Sequence, residues 1–135
     1  MANVRFEVAS YALELGVRSH AVNNDRAIVP FHQLMLRGTA DGRPISVVME
    51  FWLGIEQLAA SGPTDVGRYD VNQRRAVIKA AFIDFLNTYQ VLQSEQPVFC
   101  TFTHADSGPP NSRVIMSSAL STQAEPLGEG PVDQS

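Results

Sequence analysis

Apolar and polar positions alternate along this chain in two rhythms, and each rhythm predicts its own elements. Residues 4–15 mix β-branched and aromatic side chains in an imperfect period of two, ending at Gly16, which predicts a strand. Residues 17–26, with Asn23-Asn24-Asp25, read as a loop. Residues 27–37 and 45–53 are both rich in strand formers and flank Gly38-Thr39-Ala40-Asp41-Gly42-Arg43-Pro44. Asp41-Gly42 supplies the positive φ that a tight turn requires, so the two segments form a β-hairpin. Pro30, near the start of its strand, suits a sheet edge or strand entry.

The second rhythm is helical. Val71, Ile78, Phe82, Phe85, Leu86, Tyr89 and Leu92 recur at three- and four-residue steps, with Arg74, Arg75, Lys79, Asp84 and Asn87 on the other side. Asp70 followed by Gln73 resembles a capping box. The pattern predicts one long helix over 71–93, ended before Pro97. A shorter helix is expected over 53–60, stopped by Gly62-Pro63, with residues 64–69 as a connector. Two strands follow, at 97–104 and 113–120, around the turn-rich Ala105-Asp106-Ser107-Gly108-Pro109-Pro110-Asn111.

Together these elements predict a single α+β domain over residues 1–120. Its expected architecture is a mostly antiparallel five-stranded sheet, order βββ-α-ββ, with one long helix packed on one face. Residues 121–135 offer little to bury and are expected to form a disordered, acidic, Pro/Gly-rich tail.

Charge narrows the partners. The 135 residues carry a net charge of −4, from ten basic and fourteen acidic groups. Glu125, Glu129 and Asp133 lie in the tail, and removing them leaves eleven acids against ten bases in residues 1–120. A domain so close to neutral has no global field to attract nucleic acid or an anionic membrane. Cys100 is the sole cysteine, so an intrachain disulfide is excluded. The N-terminal residues lack the basic-then-apolar form of a signal peptide, and no apolar run reaches the roughly 20 residues of a membrane helix. The expected location is cytoplasmic.

Three functional readings compete. The first is a non-enzymatic interaction or ligand-binding domain. Residues 47–53 are apolar on both faces of their strand, and a single helix covers one face only. Trp52 and Val48, with Phe31 and Met35, are left outside, where a second copy of the chain would cover them. The partner is then the protein itself or another protein, with a small apolar ligand as the other occupant of such a face. The second reading is a small enzyme. Alternation sets His32 with Leu34 and Leu36, His104 with Cys100 and Phe102, and Glu50 with Val48 and Trp52. Were these faces to share a cavity, Cys100 and His32 could act as nucleophile and base, or Glu50 with His32 or His104 as acid and base. The third reading is an anion or RNA binder through Arg68, Arg74, Arg75 and Lys79, clustered at the start of the long helix. Three strands followed by a basic helix start resembles double-stranded-RNA-binding domains. No metal-ligand spacing, phosphate loop or dinucleotide fingerprint is present, so no cofactor is expected.

Overall fold

The computed structural model describes residues 1–22, 25–52 and 66–122. It is a closed seven-stranded barrel, not an open five-stranded sheet. The strands are β1 (Ala2–Val22), β2 (Asp25–Ala40), β3 (Arg43–Trp52), β4 (Gly67–Asp70), β5 (Arg75–Ala81), β6 (Phe99–His104) and β7 (Arg113–Ser121). Around the barrel they run β1-β2-β3-β5-β4-β7-β6, and β6 closes the ring onto β1. The β3–β5 pair is parallel and the others antiparallel. The α+β expectation is therefore corrected to a mixed β-barrel with, among the described residues, one short α-helix.

The long helix over 71–93 dissolves into three pieces, for local reasons. Asp70 does not cap a helix. Its carboxylate accepts the backbone N–H groups of Asn72 and Gln73, both at 2.9 Å, and builds the turn between β4 and β5. Arg74 then adopts φ 56°, which no helix interior tolerates. Beyond it Ala76 and Ile78 face the core while Arg75, Val77 and Lys79 face out, a period of two that three- and four-residue spacing had concealed. A 3₁₀ turn (Phe82–Asp84) leads into α1 (Phe85–Ser94), the one part of the expected helix that is α-helical.

The β2–β3 hairpin forms as expected, with Asp41 at φ 54° and Gly42 at φ 76°. Arg74 braces it, since its guanidinium donates to the carbonyls of Ala40 and Pro44. The predicted helix over 53–60 and its stop at Gly62-Pro63 lie outside the described residues, as do residues 123–135 of the expected tail. Ser121, counted in that tail, closes β7.

The first strand is longer than its pattern suggested, and it contains a bulge. Register slips between Val8 and Ser10, so Val4, Phe6 and Val8 face the core before the slip and Tyr11 after it. One inserted residue explains the imperfect alternation. Gly38 sits opposite this point, where a Cβ would come within 2.5 Å of the Phe6 ring. Only glycine lets Phe6 enter the barrel. The interior is one cluster, running from Phe6, Leu34, Leu36, Val47 and Phe51 to Tyr69, Ile78, Phe102 and Ile115, with Phe85 and Leu92 of α1 against one end.

Candidate functional site

Strand pairing defines a feature that projects from the barrel. β6 covers the outer edge of β1 only as far as Glu7, and β3 meets β2 only from His32 onward. From Gly16 to Val22 and from Asp25 to Phe31 the two strands have, among the described residues, only each other. This two-stranded arm reaches roughly 23 Å beyond the wall, at about 3.3 Å per residue. The reading of residues 17–26 as a loop is thereby corrected, because all but the undescribed pair 23 and 24 belong to strands. Pro30 lies on the arm, at an edge of β2 as its chemistry requires.

The two faces of the arm differ. Tyr11, Leu13, Leu15 and Val17 lie on the face that β2 shares with the core residues Leu34 and Leu36. The apolar lining of the barrel thus continues along the arm into solvent. Exposure rises along it, from 37% at Leu13 to 56% at Leu15 and 72% at Val17, with Ile28 at 78%. The opposite face carries Glu14, Gly16 and Arg18, and the Arg18 guanidinium lies 3.9 Å from the centre of the Phe31 ring. Near the tip Arg26 reaches across to Ser19, donating from Nε to its hydroxyl at 2.7 Å. The sequence offered a signal for this surface. Tyr11-x-Leu13-x-Leu15-x-Val17 alternates strictly, but Gly16 reads as a stop when the two strands are considered separately.

At the base of the arm α1 packs across the barrel end. Phe85 meets His32 and Phe51 edge-on at 4.6 and 5.1 Å, and Tyr89 meets Tyr11 at 6.1 Å. Beside α1 a cavity of about 410 Å³ opens among Val47, Met49, Ile78, Val91, Cys100 and Leu120, with Asp84, Asn87 and Thr88 also on its lining.

The residues of the enzymatic reading do not converge. Glu50 points out of the barrel, opposite Gln33 and Lys79 in the ladders. Cys100 pairs with Phe6 and His32 with Leu15, nine residues apart along β1, or roughly 30 Å of strand. His32 is gripped by Phe82 and Phe85, and its Nδ1 is buried with no hydrogen-bond partner among the described residues. His104 lies at the far end, its Nδ1 2.8 Å from the Ala105 carbonyl and its ring beside Tyr69. Burial pushes the Cys100 thiol up to about 12, the reverse of an activated nucleophile. Among the described residues no three His, Cys, Asp or Glu side chains gather as a metal site.

The other candidates are dispersed differently. Arg68, Arg75 and Lys79 share the outer face of β4 and β5 around Val77, with Asp70 opposite Arg75 and Glu50 opposite Lys79. Arg74 is committed to the Ala40 and Pro44 carbonyls. No helix begins there, which removes the likeness to RNA-binding domains. Of the residues assigned to an interface, Val48 is 2% exposed and presents nothing to a partner. Trp52, Met35 and Phe31 are half-buried, Phe31 on the arm.

No protein-family model, curated protein or solved structure matches this chain. The arm and the barrel must speak for themselves. Among the described residues no helix is long and apolar enough to cross a membrane.

Proposed function

We propose that this protein is a non-enzymatic interaction module whose binding organ is the arm, and that it acts within an assembly of protein chains. One observation carries the reading: the apolar lining of the barrel runs out along Leu13, Leu15, Val17 and Ile28 with nothing among the described residues to cover it. A two-stranded ribbon is marginally stable in water by itself. Contiguous exposed apolar surface on such a ribbon is the signature of a docking element. The open edge of β1 adds unpaired backbone groups, which an incoming strand satisfies. An interface in this place takes over from the expected sheet-face interface around Trp52 and Val48, because Val48 is buried and Trp52 half-buried, whereas Leu15, Val17 and Ile28 are exposed.

Leu15→Glu combined with Val17→Glu tests the reading. Both side chains are largely exposed, so the barrel melts as before. Sedimentation velocity of the wild type should show association that the double variant loses. A wild type and variant that sediment alike, alone and with any co-purifying chain, would remove the arm from function.

A second reading rests on the cavity beside α1. Its size falls in the range of small-molecule sites, roughly 300–1,000 Å³, and its inner wall is apolar. A small apolar ligand would bind there without the arm. Stabilisation by such a compound that survives the arm substitutions would favour this alternative.

A further inference from the structure

Among the described residues the arm has two open edges, and they are not equivalent. The free edge of β2 carries Pro30, which has no N–H to offer a neighbouring strand. The free edge of β1 runs from about Ser10 to Val22 without a proline. Strand addition therefore falls to β1.

Resting on the reading of the arm as a docking element, we propose that the occupant is a second copy of this chain, joined β1 to β1 in antiparallel pairing about a two-fold axis at Gly16. The charges select this register. With Gly16 opposite its own counterpart, Glu14 of each copy lies directly opposite Arg18 of the other. Leu15 falls opposite Val17, and Leu13 opposite Ser19. Alternation is preserved, so the apolar faces of both arms merge into one four-stranded surface with Leu15 and Val17 at its centre.

Neighbouring registers lose these matches. An axis at Leu15 sets Glu14 against Gly16 and Arg18 against Ala12. An axis at Glu14 or at Arg18 brings like charges face to face, which is unfavourable across a strand pair. Glu14 has no hydrogen bond or ion pair within its own chain among the described residues, so its carboxylate is available to the partner. Arg18 already lies along the Phe31 ring, which fixes its stem on the correct face. Glycine at the axis keeps that face clear between the two charge pairs.

Opposed residues in an antiparallel ladder stand about 4.5–5.5 Å apart at Cα, within the window of a disulfide. Gly16→Cys is tolerated by the fold, since its Cβ would meet only the Phe31 ring at 3.8 Å. Under mild oxidation Gly16→Cys should run as a covalent dimer, while Ser19→Cys, which has no self-opposed position, should stay a monomer on a non-reducing gel. Glu14→Arg should weaken dimerisation at least tenfold at low salt, and adding Arg18→Glu should restore it to within a few-fold of wild type. Circular dichroism confirms that each variant is folded. A wild type that is monomeric at every concentration overturns the proposal, as does a dimer with no Gly16→Cys crosslink and no charge-swap rescue. If Leu15→Glu with Val17→Glu still abolishes association in that last case, the arm remains the docking element and only its partner or register is wrong. If that variant also changes nothing, both readings fall.

Discussion

Phe85→Ala should be among the most damaging single changes in the barrel. The Phe85 ring is nearly fully buried, edge-on to His32 and Phe51 and stacked with Tyr89 at 6.0 Å. Removing a buried phenyl costs about 3–5 kcal/mol through lost transfer energy and the cavity left behind. Each aromatic pair adds ~0.5–1.5 kcal/mol beyond area, which points to the upper half of that range. Relaxation is limited because Phe85 and Leu92 are the buried anchors of α1, and a loosened Phe85 frees the first turn. In a chain of this size the loss corresponds to a drop of roughly 10–20 °C in melting temperature. Leu86→Ala is the matching control. A long helix over 71–93 would put Leu86 on the same buried face, whereas here it is 74% exposed, and its truncation should change stability by less than about 0.5 kcal/mol. Denaturant titration followed by circular dichroism decides between them. A Phe85→Ala cost below about 1 kcal/mol, or equal costs at both positions, would refute the packing of α1 over the barrel end.

The remaining predictions concern the far end and the interior. Arg74→Ala should cost about 1.5–3 kcal/mol in chemical denaturation, because a cationic donor is lost from the Ala40 and Pro44 carbonyls. Arg74→Glu should be worse, whereas a helix start at this position would make the acid harmless or better; unchanged stability would contradict the turn geometry. The Cys100 thiol, raised by burial from 9.0 to about 12, stays protonated in the folded barrel while the unfolded chain ionises above pH 9. The unfolded state then binds fewer protons, so stability falls with pH between 9 and about 12, by up to ~1.4 kcal/mol per unit, with no slope from this group below pH 9. Burial raises Tyr69 in the same sense, so the comparison is wild type against Cys100→Ala; equal slopes in the two proteins would show that the thiol is not buried in the folded state.

Local pattern revealed the turns and the strands around them, and failed where distant residues decide the outcome. Asp41-Gly42 announces its hairpin because positive φ is a property of two adjacent residues. Val98, Cys100, Phe102 and His104 share one face as alternation requires, and all four are buried. Ala76 and Ile78 sit in a segment whose spacing fits either period, and the choice is made by Ser46, Val47 and Met49 of β3, which pair with it from a distance in sequence. Asp70 illustrates the same ambiguity, because one carboxylate accepting N–H groups two and three residues ahead serves a helix cap and a hairpin turn equally well. Ring closure was hidden for another reason. Nothing near Phe6 indicates that it pairs beside Cys100, and without closure the inner face of the sheet is misassigned to the covering helix. The arm was hidden by Gly16, a strand breaker by type that here makes an ordinary 3.8 Å approach to Phe31. The scatter of Glu50, His32, His104 and Cys100 follows from closure as well, since parity placed Glu50 outside and strand length set the histidines at opposite ends.

Hydrogen exchange along β1, followed as a function of protein concentration, tests the assembly most directly. The β1 amides from about Ser10 to Val22 that face away from β2 have no strand partner among the described residues, so in an isolated chain they should exchange quickly. Pairing through this edge should slow every second amide of that stretch as concentration rises, with Leu34, Leu36 and Phe102 in the barrel unaffected. Exchange along the β1 edge that stays fast and independent of concentration would contradict the account.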